Sequence, residues 1–117
     1  MSLLHRASRA GHLTVVDTLL QAGADVNLQE TRGKSPLHEA SRTGSARVVS
    51  ILLSHGANLN AKDSRGRTPL HYAANFEVGR VLLGAGANPN IRDNRGQVWM
   101  PRRASIQLLG WSRSTLF

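Results

Sequence analysis

The stretch SPLHEASRTG, residues 35–44, has a near copy upstream and a shorter echo downstream in the chain. The near copy is SLLHRASRAG, residues 2–11, and the echo is TPLHYAAN, residues 68–75. The histidines of the three phrases are 33 residues apart. A fixed period of this size indicates stacked repeats, in which each copy is one structural unit. We therefore divide the chain into unit one (2–34), unit two (35–67) and unit three (68–97), followed by residues 98–117.

Each unit is predicted to contain two helices. In unit two, Ser35 is a preferred N-cap residue, and Pro36 suits the first position of a helix because its missing N–H is not needed there. Gly44 permits the left-handed turn that ends a helix. Apolar residues such as Val48 and Leu52 then recur at helical spacing and predict a second helix.

A tight turn is predicted where each unit ends. The segments ETRG (30–33), DSRG (63–66) and DNRG (93–96) place glycine at the end of a turn. Aspartate in such a turn commonly bonds the backbone two residues further on. We expect Glu30, Asp63 and Asp93 to hold these turns.

The phrases together resemble the ankyrin repeat, a unit of about 33 residues that contains T-P-L-H-x-A. SPLHEA and TPLHYA match this signature, SLLHRA matches it loosely, and GADVN, GANLN and GANPN are similar to the end of an ankyrin unit. The resemblance implies an all-α ankyrin-repeat solenoid of stacked helix-turn-helix units with hairpin-like tips on one side. A single unit cannot bury its apolar face alone, so the phrase recurs wherever the contact between units recurs.

Unit three is predicted to be the loose part of the stack. It lacks three residues in its first helix, and we expect Asn75 to turn the chain there. Gly79 falls where unit two has Val49. Glycine in a helix lowers the stability by about 1 kcal/mol relative to alanine, and the missing side chain lowers it by about as much again through lost packing. A shortened first helix also occurs in the ankyrin-type inhibitors of cyclin-dependent kinases, which the GSARV segment (44–48) resembles too.

The repeat pattern is lost after Gly96. Residues 98–117 are either a degenerate C-terminal cap, in which Ile106, Leu108 and Leu109 cover unit three, or a weakly ordered tail, as in a shortened form of a longer array. Pro101 would disrupt a first helix at that point. The segment RRAS (102–105) resembles a phosphorylation site directed by basic residues, with Ser105 as the acceptor.

The composition favours an intracellular protein with acidic partners. Fifteen lysines and arginines against seven acidic residues give a net charge of +8, and cysteine is absent. The absence of cysteine excludes disulfides and thiolate metal sites. No apolar run approaches the roughly 20 residues that span a bilayer, and no signal-peptide core is present. These features predict a cytoplasmic and/or nuclear protein with no membrane partner, and the charge favours acidic proteins or nucleic acid.

Neither an enzyme nor a cofactor is predicted. The repeated His5, His38 and His71 suggest a metal site, but equivalent positions in packed neighbouring units are about 10 Å apart. Zinc ligands approach the ion within about 2.1 Å. The histidines are therefore expected to be structural hydrogen-bonding residues. The chain has no P-loop and no dinucleotide-binding glycine motif.

A partner-binding face is predicted from the basic residues. Seven of the fifteen fall on the tips, and the resemblance implies that partners dock on the tips and on the concave side of the first helices. Tyr72, the only tyrosine, is the predicted aromatic anchor. The predicted partner-binding residues are Arg6, Arg9, Thr31, Arg32, Lys34, Glu39, Arg42, Thr43, Ser64, Arg65, Arg67, Tyr72, Asn75 and Arg95.

These observations predict a monomeric, non-enzymatic protein-interaction module, an adaptor or regulator that binds an acidic partner surface. Three alternatives remain open at this stage. The chain is a regulator like the cyclin-dependent kinase inhibitors, a basic scaffold associated with nucleic acid, or an unstable structural fragment with no partner of its own. The nucleic-acid alternative is the less favoured, because Tyr72 is the only stacking residue on the predicted face.

Overall fold

A computed structural model describes residues 1–100 of the chain. This part contains five α-helices and two short 3-10 helices and has no strand. The α-helices are α1 (Leu3–Ala10), α2 (Leu13–Gln21), α3 (Pro36–Thr43), α4 (Ala46–Ser54) and α5 (Phe76–Gly84), and the 3-10 helices are Thr31–Gly33 and Pro69–Tyr72. Helices pair within a unit, α1 with α2 and α3 with α4, and units stack through α1 on α3, α2 on α4 and α4 on α5. The predicted all-α stack of helix pairs is confirmed.

The first helices begin and end at the residues that the sequence indicates. The Ser35 side chain accepts a hydrogen bond from the His38 backbone N–H at the start of α3, and Gly44 ends the helix with a φ of +88°. Ser2 and Gly11 begin and end α1 in the same way. The N-cap serine and the C-terminal glycine thus set the length of each first helix, and with it the position of the helix face that is exposed to solvent.

A continuous apolar core runs along the stack and joins all three units. It consists of one cluster of buried side chains, and burying each valine or leucine contributes about 1.5 to 3 kcal/mol. The fully buried members are Leu37, Val48, Val49, Leu52, Leu70, Val78 and Leu82, together with Val16 and Ala40. Because the same cluster spans the interfaces, the units stabilise one another.

Unit three is shortened as predicted, since its first helix is the 3-10 helix Pro69–Tyr72. The chain bends at Asn75, as predicted, but without the left-handed conformation that Gly44 adopts in unit two. Asn75 has an extended backbone with a φ of −151° and begins α5, where its side chain accepts a hydrogen bond from the Val78 N–H. Its Nδ2 also donates to the Gly44 carbonyl at 3.0 Å, which ties α5 to unit two.

The place left by the missing side chain at Gly79 is covered by Trp99. A Cβ on Gly79 would lie 3.6 Å from the indole, and Trp99 packs against the apolar core. The indole thus supplies apolar contact at a position where the sequence predicts that packing is lost. The other residues considered for a cap or for phosphorylation, Ser105, Ile106, Leu108 and Leu109, lie outside the described residues.

Two hydroxyl groups are buried without a hydrogen-bond partner in residues 1–100, those of Ser8 and Ser41. An unsatisfied buried polar group destabilises the folded state. We expect Ser41→Ala to raise the free energy of unfolding by about 1 kcal/mol, measured by urea denaturation. Ser50→Ala on the exposed face of α4 is the control, because it gains only the helix propensity of alanine, about 0.5 kcal/mol. An equal gain in both variants would contradict the prediction.

A cationic groove between the tips and the first helices

The three tips stack directly on one another through their backbones. The Ser64 N–H donates to the Arg32 carbonyl at 2.9 Å, and the Asn94 N–H donates to the Arg65 carbonyl at 2.9 Å. Glycine permits this approach, since a Cβ on Gly33 would lie 3.0 Å from the Ser64 nitrogen. The tips therefore form one ridge along the edge of the stack.

Aspartates hold the second and third tips. One Asp63 carboxylate oxygen accepts hydrogen bonds from the backbone N–H groups of Arg65 and Arg67, at 2.9 and 3.0 Å. Asp93 accepts two equivalent bonds at 2.9 and 2.8 Å in the third tip. The role predicted for these two residues is confirmed.

Both aspartates are ionised at neutral pH. Burial raises the pKa of Asp63, but hydrogen bonds from Tyr72 and from the Arg67 and Arg65 backbones together outweigh it, so the pKa lies below its ordinary value of 3.8. The pKa of Asp93 is also lowered, first by the hydrogen bond from the Gln97 backbone. The ridge therefore contains fixed negative charges that pair with its cations.

The first tip is built differently: Glu30 closes it through backbone hydrogen bonds with Lys34, at 3.0 and 3.1 Å, and not through its carboxylate. Glu30 accepts a hydrogen bond from the Ser2 N–H at 2.6 Å and lies 3.3 Å from His5 Nδ1, so its carboxylate ties the tip to the start of α1. Its longer side chain reaches α1 instead of the backbone of its own turn. In this tip Arg32 has a φ of +61°, a left-handed conformation that costs a residue other than glycine about 1 kcal/mol.

The three repeated histidines connect each first helix to the end of a tip. His5 Nε2 bonds to the Lys34 carbonyl at 2.8 Å, His38 Nε2 to the Arg67 carbonyl at 2.8 Å, and His71 Nε2 to the Gln97 carbonyl at 3.1 Å. Burial lowers the pKa of His38, partly offset by its bond to the carbonyl, which favours the neutral ring. The predicted structural role is confirmed. Residues 1–100 contain no group of three His, Asp or Glu side chains placed to hold a metal ion.

Tyr72 lies half-buried at the centre of a charged network. Its hydroxyl donates to Asp63 Oδ2, and the Lys34 Nζ lies 5.0 Å from the centre of the ring. The Arg67 guanidinium lies 5.6 Å from the same ring centre and 3.3 Å from Asp93 Oδ2. Lys34 also pairs with Asp63 at 3.4 Å. Lys34 and Arg67 therefore stabilise the ridge, and the Tyr72 hydroxyl is engaged within it.

Glu39 lies at the buried base of the predicted face. Its residue surface is 1% exposed, and its Oε2 lies 3.0 Å from Arg42 and 4.0 Å from Arg9. The buried carboxylate accepts a hydrogen bond from Arg42, and Arg9 of the neighbouring first helix forms a longer ion pair with it. Glu39 is therefore placed to orient these arginines rather than to reach the solvent itself.

Most of the predicted residues line two adjacent grooves. The larger, which we call the concave groove, has a volume of about 380 Å³ and is lined by Met1, Arg9, Thr31, Arg32, Lys34, Glu39, Arg42, Arg65 and Tyr72. The smaller, the tip groove, has a volume of about 260 Å³ and is lined by Ser64, Arg65, Arg67, Asp93, Asn94 and Arg95. Arg65 lines both grooves and joins them into one basic surface.

Three predicted residues lie outside both grooves. Arg6 is exposed on α1, the Thr43 hydroxyl donates to the Glu39 carbonyl, and Asn75 begins α5. Three further residues line the grooves and were not predicted from the sequence as members of the surface: Met1, Asp93 and Asn94. Asn94 could have been found from the repeat alignment, because it is equivalent to Thr31 and Ser64, which were included.

A stack of helix pairs with a basic groove along one edge defines a repeat-type binding module. A family model for ankyrin repeats matches residues 4–93 in three copies. The chain therefore belongs to the ankyrin repeat family. Ankyrin repeats generally mediate protein–protein interaction, and the family is typically non-enzymatic. No match to a curated protein sequence was found. Within residues 1–100, none of the helices has the length and apolar character needed to cross a membrane.

Proposed function

We propose that this protein is a non-enzymatic adaptor or regulator that binds an acidic surface of another protein through the concave groove and the tips. The observation that carries the proposal is the charge of the groove. Four arginines, Arg9, Arg32, Arg42 and Arg65, line it around one buried acid, Glu39. Guanidinium groups pair with carboxylates through two parallel hydrogen bonds, which suits an acidic protein surface. The absence of cysteine is in keeping with action in the cytoplasm and/or the nucleus.

The Glu39 contacts support this proposal because they orient Arg42 and Arg9 and still leave both side chains accessible to a partner. The side chains of Arg9 and Arg42 remain 55% and 42% exposed beside the carboxylate. Each guanidinium has five N–H donors, so donors remain for a partner. Side chains that are already held lose less entropy on binding, which favours affinity.

Arg32 and Arg65 are the natural choice for a test. Both are exposed, both line the concave groove, and neither makes a side-chain ion pair within residues 1–100. Their side chains can therefore be reversed in charge without breaking a contact that stabilises the ridge. Each carbonyl still accepts the hydrogen bond from the next tip.

We expect the double variant Arg32→Glu/Arg65→Glu to associate with acidic partners about 10- to 100-fold more slowly at low salt, because complementary charge accelerates encounter. Partners are first captured from a cell lysate, and association rates are then measured by surface plasmon resonance. The control is Arg47→Glu/Arg80→Glu, which changes the net charge equally on the second helices α4 and α5. If both variants slow association equally, or neither does, the concave groove is not the binding surface.

A second candidate function is regulation of a cyclin-dependent kinase. The 3-10 helix Pro69–Tyr72 favours it, because a shortened first helix also occurs in the ankyrin-type inhibitors of these kinases. An inhibition assay with purified cyclin-dependent kinases distinguishes this candidate from a general adaptor.

A further inference from the structure

The outer face of unit one carries apolar side chains at positions that are buried elsewhere in the stack. Leu3, Val15 and Leu28 are 60%, 43% and 40% exposed, and Leu19 is half-buried. The equivalent residues of unit two, which has a neighbouring unit on this side, are all buried, and they are Pro36, Val48, Leu52 and Ala61. We call Leu3, Val15, Leu19 and Leu28 the N-terminal face. It has the composition of an interface between units, and none of residues 1–100 forms a unit packed on it.

The N-terminal face also offers backbone donors in the register of the stack. Ser64 and Asn94 each donate a backbone N–H to the preceding tip, and Thr31 is the equivalent residue of unit one. Asn58 and Asn88 donate to asparagine side chains of the preceding unit, at 2.7 and 3.3 Å. The equivalent of these two donors in unit one is Asp25, and within residues 1–100 neither Thr31 nor Asp25 makes such a bond.

Unit three carries the complementary acceptors at the other end of the described stack. The Arg95 carbonyl is equivalent to the Arg32 and Arg65 carbonyls, which accept bonds from the next tip. The Asn90 side-chain oxygen is equivalent to those of Asn27 and Asn60, which accept from the next unit. A Cβ on Gly96 would meet no atom within 4 Å in the described part of the chain. The two ends thus have the two halves of one repeating contact.

We propose that copies of this chain associate head to tail, with the N-terminal face of one copy packed on unit three of the next. The contact between copies continues the contact that already joins unit one to unit two and unit two to unit three. A head-to-tail contact uses two different surfaces, so it extends into oligomers instead of closing as a dimer. This proposal replaces the monomer that the sequence predicts, and it is independent of the proposed function.

Trp99 limits this association because it covers part of unit three. Its indole contacts the position of Gly79, which is equivalent to Val16 and Val49, two buried members of the apolar core. An incoming copy has to displace the indole from this place. Removing the indole therefore strengthens the association between copies.

Sedimentation velocity of the full chain tests the proposal. We expect the average mass to rise over a concentration range from about 10 µM to about 1 mM, typical of a small transient interface. Leu3→Glu/Val15→Glu should remain monomeric, and Trp99→Ala should associate at concentrations about 10-fold lower. Ser50→Glu/Ser54→Glu, on the exposed side of α4, adds the same charge away from both surfaces and should behave like the wild type. Thermal unfolding shows whether each variant is folded.

Mixing distinguishes head-to-tail contact from a face-to-face dimer. The Leu3→Glu/Val15→Glu chain keeps its unit three, so in excess it should occupy the N-terminal face of wild-type copies and stop growth at the dimer. This mixing result does not depend on Trp99→Ala being stable. A wild type that stays monomeric at every concentration, or a face variant that neither self-associates nor binds the wild type, overturns the proposal.

Discussion

Gly66→Ala is expected to lower the free energy of unfolding by about 3 kcal/mol, whereas Gly96→Ala should lower it by about 1 kcal/mol. Both glycines end a tip with the same pattern of residues, and their φ angles are nearly equal, +73° and +75°. Alanine is strained to a similar extent at both positions, because left-handed angles bring its Cβ close to the following carbonyl oxygen. The strain of the turn alone therefore cannot separate the two variants.

The two glycines differ in what lies next to them. A Cβ on Gly66 would lie 3.0 Å from the backbone nitrogen of Asn94 and closer still to its side-chain oxygen. Relieving that contact means moving the third tip away and weakening the bond from Asn94 to Arg65. Gly96 has no such neighbour in residues 1–100. Chemical denaturation of both variants measures the difference, and equal losses would show that the tips do not need their close approach.

Asp63→Ala is the second substitution with a large expected effect, a loss of about 3 to 4 kcal/mol. Asp63 accepts hydrogen bonds from the Arg65 and Arg67 backbones, from the Tyr72 hydroxyl and from Lys34. Alanine leaves these donors without their acceptor, and the Lys34 ammonium loses the anion that it faces. Urea denaturation at neutral pH measures the loss.

Two comparisons separate the contributions of shape and charge at this position. Asp63→Asn keeps an oxygen for the backbone N–H groups, so it should lose only about half as much stability. Asp93→Ala should also lose less, because Asp93 has no tyrosine donor. A loss in Asp63→Asn as large as in Asp63→Ala would show that charge alone matters.

The effect of Asp63 should also depend on pH. Its pKa is lower in the folded chain than the ordinary 3.8, so its contribution is complete above pH 3.8. That contribution disappears as the pH falls through the lowered pKa of the folded state, where the carboxyl becomes protonated. The stability gap between wild type and Asp63→Ala should therefore narrow in acid below pH 3.8. A gap that stays constant would contradict the ionised network.

The fold could be predicted because its determinants are local and repeated. Ser35 and Gly44 set the bounds of a helix within ten residues of sequence, and the 33-residue period gives the stacking. The roles of Asp63 and Asp93 followed from the same logic, since an aspartate bonds backbone groups only two and four residues away.

The candidate site was less predictable because its details depend on neighbours that are distant in sequence. Glu39 is a charged residue of α3, and its burial appears only in the stack, where α1 of unit one packs on α3. Glu30 is only one methylene longer than aspartate, yet its carboxylate reaches Ser2 instead of its own turn. Trp99 follows the last unit, so no repeat pattern indicates that its indole covers Gly79.

The ridge of tips has a consequence for how this protein can change over time. Backbone hydrogen bonds join the tips of the ridge, and Asp63 and Asp93 hold the backbone of the second and third tips. The side chains of Arg32 and Arg65 point away from this backbone into the grooves. Under the proposed function, replacing an outward side chain alters what is recognised and leaves the hydrogen bonds between the tips intact. New binding preferences can thus evolve by single substitutions of exposed side chains on the ridge, while the repeat fold itself stays unchanged.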